Sequence, residues 1–451
     1  MNYFKLITAT TLTVILIGCK PNLKPEVQSS GDANFAHVVT IGDNFMAGYG
    51  NGVLNQNNQQ HSVAAFVGKQ LSAVTGATFV QPLMPAGNGV GPNAKTWESD
   101  FVTNYRLGYR TYTCDPTPTF SPLKDLASYA QSTQYFSAFT GGTINDYSAP
   151  FTTASDIANA AGTNLYLNRF APAGTAVLDK IVASKPTFAT VWLGMEEVYK
   201  YARSGAYVGA ATTPAMFEAN LDKIVKTLNA AGVKGALGNL PNFDVFPYYS
   251  YFGPTRAVLR QGQADTLNDK QPQIDQDGNP VKGGQFNWKK DTNTFLITPS
   301  KFRDDPNFNS RHMGRGEYIT LSLNVDSVKC DKVGLLSDMP DRYVLDSVEV
   351  AEIKSLISQY NTSIKAIADK YGWAHVDMNT YFNLINKGVK NAGVDYSAAF
   401  LSGGFIGMDA FHPTQKGYEM ISNEFIKAIN AKYSATVWPV VCTDCTAIKF
   451  P

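Results

Sequence analysis

Asp409 and His412 stand three residues apart in "GMDAFHPTQKG", just ahead of a helical stretch. A carboxylate at that spacing can orient an imidazole and stabilise its protonated form, the task of the acid member in a Ser-His-Asp arrangement. An imidazole prepared in this way needs a hydroxyl or thiol to deprotonate. A second stretch, "GDNFMAGYGNG" (42–52), closes the apolar run "HVVTIGDNF" and reads as a strand ending in a loop, a place to hold such a nucleophile. No serine, cysteine or threonine occupies that loop; Asn44 does. A carboxamide is not deprotonated by a neighbouring histidine and is a poor nucleophile at neutral pH.

The elements that must hold these residues follow from hydrophobic periodicity. "HVVTIG" (37–42) predicts a first strand, followed after a polar loop by a helix near "SVAAFVGKQLSAV". "TFATVWLG" (187–194) predicts a buried strand after a helix around "AGTAVLDKIVAS". "MFEANLDKIVKTLNAAG" (216–232) is an amphipathic helix stopped by Gly232, and "VKGALGNLP" is the next strand. A long helix over 348–372 leads to the strand "WAHVD" (373–377), and a last helix over 413–433 is started by Pro413. Such alternation predicts a parallel sheet with crossover helices. Residues about 85–150 and 253–345 break the rhythm with Gly-, Thr-, Tyr- and Pro-rich or β-like pieces, and are read as insertions into one α/β domain. Within the second, "DQDGNP" (275–280) predicts an Asp-Gly hairpin turn rather than a calcium loop, because the further ligands do not follow.

With the elements in place, a family resemblance is visible. "GGFIGMDAFHPTQKGYEMISNEFIKAIN" (403–430) resembles the D-x-x-H block of the SGNH (GDSL) hydrolases, and "VVTIGDNFMAGYGNG" is similar to their first block. "FVQPLM", "TVWLGMEEVYKYARSG", "NLPNFDVFPYY" and "DRYVLDSVEVAEI" extend the resemblance across most of the chain, toward the lipid-anchored members of Bacteroidota. It implies a three-layer α/β/α fold and a family activity of serine esterase or lipase. The implied nucleophile position is Asn44. The implied G-x-N-D block reads Gly194-Met195-Glu196-Glu197, so the oxyanion-binding Asn is Glu196, whose carboxylate only accepts hydrogen bonds. The implied oxyanion-hole Gly aligns with Phe151 in "INDYSAPFT". Asp43 is expected to face away from the pocket, since successive strand residues point to opposite faces. Losing the nucleophile costs on the order of 10⁶ in rate and one oxyanion donor on the order of 10²–10³. No catalysis is therefore expected, and Asn44, Glu196, Asp409 and His412 are expected to be structural. His412 would bond Asn44, Glu196 or Asp409 and pin the loop to its helix.

The first twenty residues are expected to lie outside the fold. "MNYFK" and "LITATTLTVILIG" form the polar and apolar regions of a signal peptide, too short for a comfortable transmembrane span of about twenty residues. "LIGC" resembles a lipobox, which implies a signal peptide over 1–18 and a lipidated Cys19. "KPNLKPEVQSSGDAN" reads as a tether over 19–34, ahead of a domain over 35–440 and a tail over 441–451. The charge balance, 38 basic against 37 acidic residues, supplies no field favouring nucleic acid. Of the remaining cysteines, Cys442 and Cys445 in "CTDC" can close a tail loop, which leaves Cys114 for Cys330 among three pairings. No metal or other cofactor is expected, because the five histidines are scattered and none keeps ligand spacing with the cysteines.

These readings converge on a lipid-anchored head at the outer membrane, facing the periplasm or, preferentially, the cell surface. The expected role is a binding or scaffolding subunit of an outer-membrane complex with a β-barrel partner, a class suggested by location and by the habits of Bacteroidota lipoproteins. The aromatic loop "FDVFPYYSYFGP" (243–254) is equally an interface or internal packing. Two alternatives are an esterase on acylated glycans or lipids with a non-standard nucleophile, and a glycan- or lipid-binding protein using the cleft.

Overall fold

The computed structural model describes residues 27–92, 101–127, 134–207, 209–253, 257–270, 288–298, 300 and 311–449. The signal peptide, Cys19, the first half of the tether (19–26) and "DQDGNP" lie outside them. Among the described residues no helix is long and apolar enough to cross a membrane.

Five short strands build the centre: β1 (Val38–Gly42), β2 (Asp146–Ser148), β3 (Phe188–Trp192), β4 (Lys234–Gly238) and β5 (Ala374–Val376). Their order across the sheet is β5-β4-β3-β1-β2, and every pairing is parallel. β1 and β3 are buried along their whole length. That explains their continuous apolar runs, since a parallel sheet is covered on both faces. One face carries α2 (Val63–Ala73) and α8 (Gln415–Tyr433); the other carries α3 (Val177–Ala183), α5 (Pro214–Ala230) and α6 (Ser347–Tyr371), and α7 (Met378–Lys387) follows β5. The fold is thus a three-layer α/β/α sandwich with a parallel sheet.

Helix ends follow ordinary capping chemistry. Asp346 and Glu349 form a capping box at the start of α6, and Gly372 closes it at φ 67°. α8 starts differently from the expectation. Thr414 is its N-cap, accepting from the Gly417 N–H, and Pro413 lies one residue before it instead of opening the first turn. A hydroxyl that satisfies a backbone donor sets the boundary here more firmly than the preset φ of a proline.

The two predicted insertions are β- and loop-rich, with one boundary corrected. β2 falls inside the stretch read as insertion (about 85–150), yet it pairs with β1 as the edge strand of the main sheet. Three residues are too few to show a period, so the strand was invisible in sequence. The rest of that stretch includes a long exposed hairpin, Arg106–Tyr112 with Asp115–Leu123. Cys114 at its turn is disulfide-bonded to Cys330, which follows the helix Val325–Lys329 of the second insertion. Arg110–Asp326 at 3.0 Å and Lys329–Asp115 at 2.8 Å flank the bond, so the two insertions form one stapled ledge. Cys442 and Cys445 pair with each other in the tail.

Candidate functional site

In a sheet of order 2-1-3-4-5 the connections leave β1 and β3 in opposite directions, which opens a crevice at their carboxyl ends. The residues singled out above collect there. β1 ends at Gly42, beside Trp192 at the end of β3, and Ser148 of β2 lies on its other side. A Cβ on Gly42 would come within 2.3 Å of the Met46 Cβ and 2.8 Å of the Trp192 carbonyl, so only glycine lets the chain turn there. The chain then enters α1 (Asn44–Ala47), capped by Asp43. α4 (Met195–Arg203) leaves β3 through Gly194, which adopts φ 114°.

Asn44 is 3% exposed and His412 5%. The Asn44 Nδ2 donates to His412 Nε2 at 3.1 Å, and His412 Nδ1 donates to Asp409 Oδ2 at 2.9 Å. At the other end, the Phe151 N–H donates to Asn44 Oδ1 at 2.5 Å. Every polar atom has one assigned role: carboxylate, Nδ1–H, bare Nε2, amide NH₂, amide carbonyl, backbone N–H. Asp409 also accepts from the N–H groups of Gly52 (2.8 Å), Phe411 (3.1 Å) and His412 (2.9 Å). Burial alone would raise its pKa, but the adjacent His412 imidazole and the hydrogen bonds received from His412 and Phe411 outweigh it and hold the carboxyl below its ordinary value. The imidazole is boxed by the rings of Tyr49, Phe411 and Phe45, with centroids 4.8, 4.9 and 5.3 Å away.

Phe151 occupies the position that the resemblance gives to an oxyanion-hole glycine, and its φ is 63°. A bulky residue pays for the left-handed region in steric strain, and it persists only where its surroundings hold it. Here its ring packs on Tyr49 and Tyr166 while its N–H serves Asn44. An N–H that an oxyanion would otherwise need is thereby committed to the carboxamide.

Glu196 does not reach His412, contrary to one of the expected partnerships. Its Oε2 accepts from the Arg203 guanidinium at 2.9 Å, and both side chains are almost fully buried. The two residues are seven apart on α4, two helical turns, and so share a face. Burial would lower the Arg203 pKa, yet Glu196 beside it raises it. Arg203 was missed in the sequence, although the i, i+7 spacing from Glu196 was the available signal. Asp43 is buried beneath the crevice and does not line it. Its Oδ1 accepts from the Phe45 N–H and its Oδ2 from the Met195 N–H, tying the starts of α1 and α4 together. Burial, then Glu197 and Glu196, push its carboxyl well up. Burial likewise raises Glu197 to about 7; one of its oxygens accepts from the Ala154 N–H and the other has no partner.

What remains of the crevice is a cleft of about 80 Å³, reached by His412, Asp409, Arg203, Tyr248, Phe151 and Phe411. Pro92, Val102, Tyr105 and Lys124 of the first insertion lie over it. Small-molecule pockets usually have roughly 300–1,000 Å³, so this cleft is well below the usual size of a ligand site. In the aromatic loop, Phe243, Phe246 and Tyr249 are wholly buried and Phe246 packs on Phe411 at 4.5 Å, so these rings belong to the core, while Tyr251 and Phe252 are half-buried. A separate cluster lies far from the cleft in sequence. His61, Cys442 and Cys445 bring their ligand atoms within 4.8 Å of one another, which linear spacing cannot reveal.

No protein-family model matches the chain, and no curated protein matches it. Similar solved structures include an acetylxylan esterase from Geobacillus stearothermophilus, 12% identical over 89% of this chain and 95% of that one, with a TM-score of 0.35. An α/β hydrolase from the metagenome of Lake Arreo, Spain, is 11% identical over 89% and 97%, TM-score 0.36. A GDSL-like lipase from Parabacteroides merdae is 9% identical over 90% and 99%, TM-score 0.34. The fold class itself rests on the strand order and register described above.

Proposed function

We propose that this chain is a non-catalytic, SGNH-like lipoprotein that acts as a binding or scaffolding subunit at the outer membrane. The observation that carries the non-catalytic reading is the double engagement of Asn44. Its NH₂ occupies the base, His412 Nε2, while its carbonyl occupies the Phe151 N–H. A hydrolase of this type needs its base bonded to a hydroxyl or thiol that can be deprotonated, and its N–H free for the oxyanion. The pairing of Glu196 with Arg203 adds to it, because a carboxylate at the oxyanion position donates nothing. The scaffolding part is supported by the lipobox-like "LIGC" and by the ledge that Cys114–Cys330 joins from two insertions. A β-barrel is the partner class proposed, since lipidation would hold the head beside such proteins.

The intact Asp409–His412 pair favours a second reading, an esterase with a non-standard nucleophile. Assays on short-chain aryl esters and acetylated sugars with the wild type and His412→Ala separate the two. Both proteins are expected at background; wild-type turnover that vanishes in the variant overturns the non-catalytic reading. Gentle detergent purification of the tagged protein is expected to retain a stoichiometric outer-membrane companion. Recovery as a lone monomer counts against scaffolding.

A further inference from the structure

The C-terminal tail returns to the main domain and carries "CTDC" past the turn that leads into α2. Both flanks of this turn are fixed to α8. Asn423 exchanges two hydrogen bonds with the Val440 backbone, at 3.1 and 2.7 Å. Gln415 Oε1 accepts from the N–H and hydroxyl of Thr446, each at 3.0 Å. Facing the turn is His61, at the end of the short helix Gln56–Gln60, with a side chain only 15% exposed. Its Nδ1 lies 2.8 Å from the Asn57 carbonyl, and a carbonyl only accepts, so Nδ1 carries the proton. In the neutral ring the other nitrogen, Nε2, then carries the lone pair, and it faces the tail. Asp444 Oδ2 lies 3.6 Å from it, and Asp444 Oδ1 is 3.3 Å from Cys442 Sγ.

We infer that His61, Cys442 and Cys445 form a zinc site when the tail cysteines are reduced, with Asp444 closing the tetrahedron. Zinc takes thiolate, imidazole and carboxylate ligands at about 2.0–2.3 Å, which requires ligand atoms roughly 3–4 Å apart. The three atoms already lie within 4.8 Å, so side-chain rotation alone brings them into range. The Asn57 carbonyl behind His61 is the kind of outer partner that orients a ligating imidazole. Because the flanks are anchored on α8, binding does not have to order the tail.

The site is gated by the Cys442–Cys445 disulfide. A dithiol reductant opens it by exchange: the protein disulfide gains two electrons and two protons, and the reductant becomes a disulfide. Zinc then displaces the two thiol protons and binds the thiolates. Opening this bond releases only a four-residue loop, whereas Cys114–Cys330 closes one spanning both insertions. The fold therefore loses far less when the tail bond opens. His61 and the tail would then be joined by metal instead of lying merely side by side, clamping the turn that leads into α2 to the C-terminus.

The test uses the full chain, oxidised and dithiol-reduced, in competition with a chromophoric zinc chelator and with cobalt as a spectroscopic probe. The reduced protein is expected to bind one zinc below micromolar concentration and to show a thiolate-to-cobalt charge-transfer band. Oxidised protein is expected to bind neither metal there. Cys442→Ser/Cys445→Ser should abolish binding, His61→Ala should weaken it at least tenfold, and Cys114→Ser/Cys330→Ser should leave it unchanged. Melting temperatures without metal establish that each variant is folded. Reduced wild type that binds no zinc below about 10 μM, or a folded His61→Ala that binds as tightly as wild type, overturns the inference. So does binding that is lost in Cys114→Ser/Cys330→Ser and kept in Cys442→Ser/Cys445→Ser.

Discussion

The crevice at the end of β1 and β3 and the ledge built from the two insertions are made on opposite principles. In the crevice, polar groups are buried and nearly all are committed: Asp409, His412, Asn44 and the Phe151 N–H form one chain, and Glu196 and Arg203 form a closed pair. On the ledge, polar and aromatic groups face water. Tyr109 and Phe120 pair at 5.1 Å while 72% and 49% exposed, and the ion pairs beside Cys114 are partly solvated. Buried polar networks cost a great deal when one member is removed, whereas exposed pairs contribute little. The difference places stability in the centre and solvent-facing groups at the periphery.

The strongest way to break that comparison is at α4. Arg203→Met leaves the Glu196 carboxylate buried without its cation and is expected to destabilise by about 3–5 kcal/mol. Arg203→Met/Glu196→Leu should recover most of this, as measured by denaturant unfolding. An equal loss in the double variant would mean that the pair is not the reason. Next comes pH. Glu197 is raised to about 7 from an unfolded value near 4.5, so the folded state holds more protons than the unfolded one between these values. Stability should therefore fall as pH rises through this window, by up to about 3 kcal/mol, and Glu197→Gln should flatten the decline. Asp43 is shifted in the same direction and leaves some slope in that variant. A melting temperature that rises from pH 5 to 8 contradicts the assignment.

Asn44→Ala strips His412 Nε2 and the Phe151 N–H of their common partner and should cost about 2 kcal/mol, read in the same unfolding assay. A change within about 0.5 kcal/mol would remove Asn44 from the network. On the ledge the loss of structure is local. Cys114→Ser/Cys330→Ser should lower the main unfolding midpoint, because a long cross-link is lost, and should expose the Arg106–Leu123 hairpin to trypsin while the rest of the chain stays protected; loss of protection throughout the chain would make the ledge part of the core. Smallest of all, Tyr109→Ser/Phe120→Ser should alter stability by less than about 0.5 kcal/mol. If those rings touch a partner, the same variant should release the companion recovered in detergent.

Local patterns carried much of this structure. The runs at 37–42 and 187–194 hold the fully buried strands Val38–Gly42 and Phe188–Trp192 because a covered parallel sheet demands apolar residues on both faces, and Gly372 ends α6 because a left-handed cap favours glycine. Asp409 and His412 were legible because their contact is local, three residues apart in one loop. Pairings between distant segments left no such trace. β2 is too short to show a period, and Phe151 meets Asn44 only because β2 pairs with β1. Where the Glu196 carboxylate points, toward Arg203 and not His412, is set by packing around α4.

The sequence by itself therefore determined the layered α/β class, the Asp–His pair, and the lack of a hydroxyl or thiol at Asn44, since these depend on residue type and short spacing. Only the tertiary structure decided how Asn44 is engaged at both ends, that insertion residues lie over the cleft, and that His61 meets the tail cysteines. Such contacts are fixed by strand order and loop packing, which bring together residues hundreds of positions apart and leave no period in the chain.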